Sequence, residues 1–124
     1  MSIRVMIVDD EPHVIHVIKQ YLERRGLDVV SAANGKQALE LFEKSRPDII
    51  ITDIQMPVMT GQELCEKLIR RYAQQLPHIF VMTSRTDKEL RTWAELFPNI
   101  QFLEKPLSLR RLNLKIDEFL QVEK

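Results

Sequence analysis

Five short runs rich in Val and Ile, each bounded by turn residues, constrain this chain more than any other feature: Ile3 to Val8, Leu27 to Ala32, Asp48 to Thr52, Ile79 to Met82 and Ile100 to Leu103. Apolar runs of this length read as strands buried on both faces. Between them, apolar residues recur at helical spacing. Val14, Val17, Ile18, Tyr21 and Leu22 form one stripe, and Leu90, Trp93, Ala94 and Phe97 another. A third helix is expected from about Gly61 to Tyr72, with Leu64, Cys65, Leu68 and Ile69 inward. The last is expected from near Ser108, with Leu109, Leu112, Ile116 and Leu120 inward. Helix starts are marked as well: Thr60 with Glu63 and Thr86 with Glu89 have capping-box spacing, and Pro12 suits a first turn.

Parallel neighbours need a crossover, and each helix can supply one. Five strands alternating with five helices therefore imply an α/β fold, a doubly wound parallel sheet covered on both faces by right-handed crossovers. Ligands of such sheets bind outside the carboxyl ends of the strands. Four of the five ends carry polar chemistry: Asp9 and Asp10 after the first, Asp53 after the third, Thr83 and Ser84 after the fourth, and Glu104, Lys105 and Pro106 after the fifth. Any one of these has a structural reading, because Asp, Ser and Thr commonly cap the following helix. Their convergence on one edge of one sheet points to a site.

Composition removes several classes of function. The 124 residues have the length of one domain, and 18 Lys and Arg balance 18 Asp and Glu. No chain-wide attraction to nucleic acid or anionic membrane is expected from that balance. A single cysteine, Cys65, forms no internal disulfide, and no signal-peptide pattern or membrane-length apolar run is present, so the expected location is the cytoplasm. His13, His16 and His78 are badly spaced for joint metal binding and read as surface or rim residues. Cys65, Trp93, Met56, Met59 and Met82 read as packing residues.

The motifs VDDEP at 8–12, DIQMPVMTG at 53–61, VMTS at 81–84 and EKPL at 104–107 resemble those of the receiver domain of two-component response regulators, over essentially the whole chain. This resemblance implies a single receiver domain over 1–124 with a flavodoxin-like five-stranded sheet in the order 2-1-3-4-5, flanked by five helices. It also implies that Asp53 is the phosphoacceptor, taking a phosphoryl group from a sensor histidine kinase or phosphotransfer protein. The implied metal is Mg²⁺, with Mn²⁺ as a substitute. Asp10 and Asp53 would hold it directly, Asp9 mainly through water, and the backbone carbonyl of Gln55 would complete the protein's share.

The residue chemistry suits those roles. Converging carboxylates repel one another until a hard divalent cation accepts their oxygens. Phosphoryl transfer has a loose transition state in which positioning and charge neutralisation supply most of the catalysis. By resemblance, Thr83, Ser84 and Lys105 would contact the phosphoryl group, the Lys105–Pro106 bond would be cis, and Phe102 would be the switching aromatic. Pro57, Gly61 and Pro106 would be structural, while Gln55 and Arg85 would tune the lifetime of the acyl phosphate. The output surface would be the fourth helix, fifth strand and fifth helix, with Arg91, Arg110, Arg111 and Lys115 on it. It would control a downstream protein or output domain, with phosphorylation-dependent homodimerisation a further use of that face. No direct contact with nucleic acid and no membrane insertion are implied.

Departures from the common pattern matter too. Ser84 stands where most relatives have Ala or Gly, Phe102 lacks a tyrosine's hydroxyl, and FPNIQF replaces a Gly-Ala turn, with Asn99 able to take its left-handed conformation. Two rival classes stay in view. A phosphatase with an aspartyl-phosphate intermediate would carry a second acidic residue where Gln55 stands. A receiver-like interaction module that is never phosphorylated would bind its partner equally well at all times.

Overall fold

The computed structural model describes residues 3–84 and 88–123, with side chains through residue 120. Strands and helices alternate along the chain: β1 (Arg4–Val8), α1 (Pro12–Arg24), β2 (Asp28–Ala32), α2 (Gly35–Ser45), β3 (Ile49–Asp53), α3 (Gly61–Arg71), β4 (His78–Thr83), α4 (Lys88–Glu95), β5 (Ile100–Glu104) and α5 (Leu109–Glu123). The strands form one sheet in the order β2-β1-β3-β4-β5, and every pairing is parallel.

Alternate residues of each strand feed opposite faces, which explains why the runs are continuously apolar. Met6, Val8, Ile50, Ile79 and Val81 pack with Ala38 and Phe42 of α2, Leu64 and Leu68 of α3 and Leu90 of α4. On the other face, Val5, Ile7, Ile49, Ile51, Phe80 and Met82 meet Ile18 and Leu22 of α1 and Leu112 and Ile116 of α5. All five residues of β3 are buried.

The ladder reaches one residue further toward the polar edge than the apolar runs suggest. Asp53 pairs with Met82 and Thr83 with Glu104, so these side chains belong to strands and not to the loops after them. Strand pairing uses the backbone, which the apolar pattern does not report. At the other end, β1 and β2 begin at Arg4 and Asp28, and α3 ends at Arg71 with Tyr72 as its cap.

Helix ends follow local chemistry. Pro12 opens α1, and the Thr60 hydroxyl accepts from the Glu63 N–H at 3.1 Å while the Glu63 carboxylate accepts from the Thr60 N–H at 3.2 Å. Thr86, the expected cap of α4, lies outside the described residues.

Two expectations need correction. Val17 points outward and is 48% exposed, because α1 rests on Ile18 and Leu22 and the stripe drawn from spacing was too wide. Asn99 is not left-handed. Its side-chain amide instead donates to the Pro77 carbonyl at 3.0 Å, and its own carbonyl accepts from the Ile79 N–H at 2.8 Å. His78 is the first residue of β4 and lies at a rim, half-buried with its ring edge-on to Phe80 and tilted against Phe119.

Candidate functional site

Each side chain of the expected site is delivered by a strand end. β1 runs straight into Asp9 and Asp10, β3 ends on Asp53, β4 on Thr83, and β5 leads through Glu104 to Lys105. The Lys105 N–H donates to the Thr83 carbonyl at 3.0 Å, which holds the last connection against β4. These ends enclose a cavity of about 220 Å³ whose walls include Asp10, Asp53, Gln55, Thr83, Ser84 and Lys105. Glu11 and Ile54 also line it. Neither was singled out from the sequence, although Glu11 directly follows the aspartate pair.

Carboxylate oxygens of Asp9, Asp10 and Asp53 lie within 4.8 Å of one another. Asp10 is exposed, Asp53 is 4% exposed and Asp9 is completely buried. The Lys105 ammonium sits 3.0 Å from Asp53 Oδ2 and neutralises part of this charge. Asp53 Oδ1 faces the Gln55 N–H at 3.4 Å, a long hydrogen bond at the start of the following loop. Asp9 Oδ1 accepts from the Glu11 N–H at 2.9 Å, but its second oxygen is buried without a hydrogen-bond partner. Burial, followed by repulsion from Asp53 and Asp10, pushes the Asp9 carboxyl above its ordinary value despite that hydrogen bond and the Lys105 charge.

A divalent cation fits this arrangement. Three oxygen donors converge, they are short of positive charge, and the orphaned Asp9 oxygen is an acceptor without a donor. The donors are all hard oxygens, the set that Mg²⁺ or Mn²⁺ takes.

The loop beyond Asp53 is built for close approach. Gly61 donates its N–H to the Ile54 carbonyl at 2.9 Å, and a Cβ there would collide with the Asp53 carbonyl oxygen. Pro57 is exposed at the loop's turn. The Met59 N–H reaches back to the Pro57 carbonyl at 2.7 Å across Val58, whose φ is +70°. This is a γ-turn with a β-branched residue at its strained centre, and nothing in the sequence announced it. Met56 and Met82 are buried packing residues, and Met59 packs at the edge of the same core.

The Lys105–Pro106 bond is cis. Phe102 is half-buried at the edge of the α2-α3-α4 layer, and Ser84 is exposed at the cavity. Arg85 lies outside the described residues. Arg91, Arg110 and Arg111 are exposed, while Lys115 is partly covered and 3.8 Å from Glu118.

With this geometry in place, the chain matches the response regulator receiver domain family over residues 5–117. It belongs to that family. The alkaline phosphatase synthesis transcriptional regulatory protein PhoP of Bacillus subtilis is 29% identical over 98% of this chain and 50% of its own length. The chain spans about half the length of the curated relatives it matches. Among solved structures, the chemotaxis protein CheY4 of Vibrio cholerae is 28% identical with a TM-score of 0.86, covering 95% of this chain and 98% of that one. A CheY-like receiver domain protein of Methanospirillum hungatei is 28% identical with a TM-score of 0.87, covering 98% and 95%. The receiver domain is a phosphoacceptor signalling switch of two-component systems, and its family binds Mg²⁺ through an acidic pocket. No helix among the described residues is long and apolar enough to cross a membrane.

Proposed function

We propose that this receiver domain accepts a phosphoryl group on Asp53 from a phosphohistidine of a sensor kinase or phosphotransfer protein. One observation carries it: Asp53 faces Lys105 at 3.0 Å on one side and the Asp9–Asp10 pair on the other, at the floor of an open cavity. An oxygen of the Asp53 carboxylate forms the new O–P bond as the donor's P–N bond breaks, and the departing electron pair stays on the imidazole nitrogen, which takes a proton. The Lys105 side chain pairs with a phosphoryl oxygen. Thr83 and Ser84 offer hydroxyls to the others, and a hydrogen bond to a charged oxygen is the stronger kind.

Asp9, Asp10, Asp53 and the Gln55 carbonyl are the groups that would hold Mg²⁺. Once bound, the ion supplies positive charge against the carboxylates and the phosphoryl oxygens. Dephosphorylation follows when a water oxygen forms a new bond to phosphorus as the bond to the Asp53 oxygen breaks, releasing inorganic phosphate, which carries the water's protons or passes them to solvent, and regenerating the Asp53 carboxylate. Gln55 and Arg85 set how easily that water enters.

Phosphorylation replaces the single charge of the Asp53 carboxylate with a phosphoryl group of about −1.5 to −2, a net gain of at most about one negative charge together with three acceptor oxygens, which biases the placement of Thr83, Phe102 and the α4-β5-α5 face toward a downstream protein, an output domain or a second copy. Intact mass after incubation with acetyl phosphate tests the transfer. One phosphoryl group is expected in Mg²⁺, none with chelator and none for Asp53→Asn. Equal partner binding by the loaded and unloaded protein would instead mark a constitutive interaction module.

A further inference from the structure

The edge of the sheet opposite Asp53 holds a second cavity. The turns that lead into the amino ends of β3 and β4, together with Phe119 of α5, enclose about 320 Å³ there, more than the 220 Å³ at Asp53. That volume lies at the small end of the range for ligand clefts. Its walls combine the rings of Phe42, His78 and Phe119 with the charges of Arg46 and Asp48. Pro47 and Pro77 are buried in the two turns and stiffen them, so the cavity is formed before any ligand enters.

Backbone groups around the cavity are already paired. The Asp48 N–H donates to the Arg4 carbonyl at 2.9 Å, the Asp48 carbonyl accepts from the His78 N–H at 3.0 Å, and the Pro77 carbonyl accepts from the Asn99 amide at 3.0 Å. The two charges keep capacity to spare. Asp48 Oδ2 accepts from the Arg4 N–H at 2.9 Å, which leaves Oδ1. The Arg46 guanidinium stacks 4.5 Å from the ring centroid of Tyr72 and 5.5 Å from that of Phe42, and among the described residues it meets no carboxylate. Arg46 is also held at a φ of +46° just after α2, a left-handed conformation that glycine takes more easily. Strain of this kind, kept at the mouth of a cavity, points to a use for the side chain.

One guanidinium beside one carboxylate discriminates among ligands. A dianion is repelled by Asp48 and a plain cation by Arg46, whereas a zwitterion satisfies both. The guanidinium fork receives a carboxylate through two parallel N–H donors, and the aromatic walls favour a ring. We propose that this cavity binds an aromatic α-amino acid, with its carboxylate on Arg46, its ammonium on Asp48 and its ring against His78 and Phe119. The site is separate from the Asp53 cavity and independent of phosphoryl transfer.

L-phenylalanine is the probe, titrated into the isotope-labelled whole chain and followed by the amide cross-peaks. Saturable shifts are expected at Arg46, Asp48, Gln75, His78 and Phe119, with a Kd of roughly 1 mM that is the same in Asp53→Asn. Phenethylamine lacks the carboxylate and N-acetyl-L-phenylalanine the ammonium, and each should bind at least about tenfold more weakly. Arg46→Gly suits the left-handed turn, so it should fold while losing at least about tenfold in affinity. Asp48→Asn keeps an acceptor for the Arg4 N–H and should lose a similar factor. No saturable shift with L-phenylalanine overturns the proposal, as do shifts centred elsewhere. Phenethylamine or inorganic phosphate binding as tightly as the amino acid overturns it too, and so does an unchanged affinity in Arg46→Gly.

Discussion

Asp9 shows what the site costs the fold. Its carboxylate is fully buried, one oxygen has no partner, and its pKa is raised by burial and by the neighbouring aspartates. A carboxyl whose folded value lies above the ordinary 3.8 contributes stability that is fully present below 3.8 and is lost as pH rises through the folded value. At neutral pH in chelator, Asp9 therefore works against folding. We expect Asp9→Asn to raise the metal-free urea midpoint by an amount equivalent to about 1–2 kcal/mol while weakening Mg²⁺ binding, as an amide escapes the repulsion but is a poorer ligand. An unchanged or lowered midpoint would sink this account. His78 behaves in the opposite sense. Burial holds its imidazole below the ordinary 6.5, so the unfolded chain takes the proton first. Stability is on its plateau above 6.5 and declines as pH falls from there through the folded value. Urea midpoints of wild type and His78→Phe measured at pH 7.5 and pH 5.5 should diverge on the acid side, with the variant falling less.

Between residue and fold stands the connection from β3 to α3, where glycine is required at one position and missing at another. Gly61 lets the chain pass over the Asp53 carbonyl, and any Cβ would displace the strand end that carries Asp53. Gly61→Ala should cost about 3 kcal/mol by overpacking and slow phosphorylation by acetyl phosphate, both readable on one preparation. Val58 presents the reverse case. It is 77% exposed at φ +70°, a conformation that strains a β-branched residue without repayment from burial. Val58→Gly should stabilise by about 0.5–1 kcal/mol in urea unfolding, the relief of strain outweighing the added freedom of the unfolded chain. Loss of stability would mean that Val58 has unrecognised packing. The contrast marks what the sequence could tell at this scale. The need for glycine at 61 comes from a contact with the Asp53 carbonyl and was implied only by the family resemblance, whereas the Thr60–Glu63 box was legible because local chemistry specifies it. Val58 was not, since its φ is imposed by the closure of a loop whose ends are already fixed. Asn99 and Val17 were misread for a related reason: a contact with Pro77 and the seating of α1 on Ile18 and Leu22 are tertiary facts that no local pattern encodes.

For the whole molecule, a parallel sheet with helices on both faces gathers all its carboxyl ends on one edge, so residues far apart in sequence meet without further design. The alternation of runs and stripes therefore pointed to this edge before any distance was known, and residues of the quoted motifs are the ones that the strand ends bring together there. Among the described residues, positive charge is scarce at that edge. Asp9, Asp10 and Asp53 converge within 4.8 Å, and Lys105 is paired with only one of them. A folded state with converging carboxylates binds a divalent cation better than the unfolded chain, so the ion must stabilise by mass action. At Mg²⁺ a hundredfold above its Kd, the gain is about 2.7 kcal/mol, or roughly 10 °C in Tm for a domain of this size. Thermal unfolding of wild type in rising Mg²⁺ should trace this gain. Asp10→Asn and Asp53→Asn should begin higher in chelator, relieved of repulsion, and climb less. Ca²⁺ at equal concentration tests whether the site is specific or merely acidic, because the smaller ion alone suits few protein ligands completed by water. A wild-type Tm indifferent to Mg²⁺ would show that the carboxylates converge without holding metal, and phosphoryl transfer at Asp53 would then lose its source of charge.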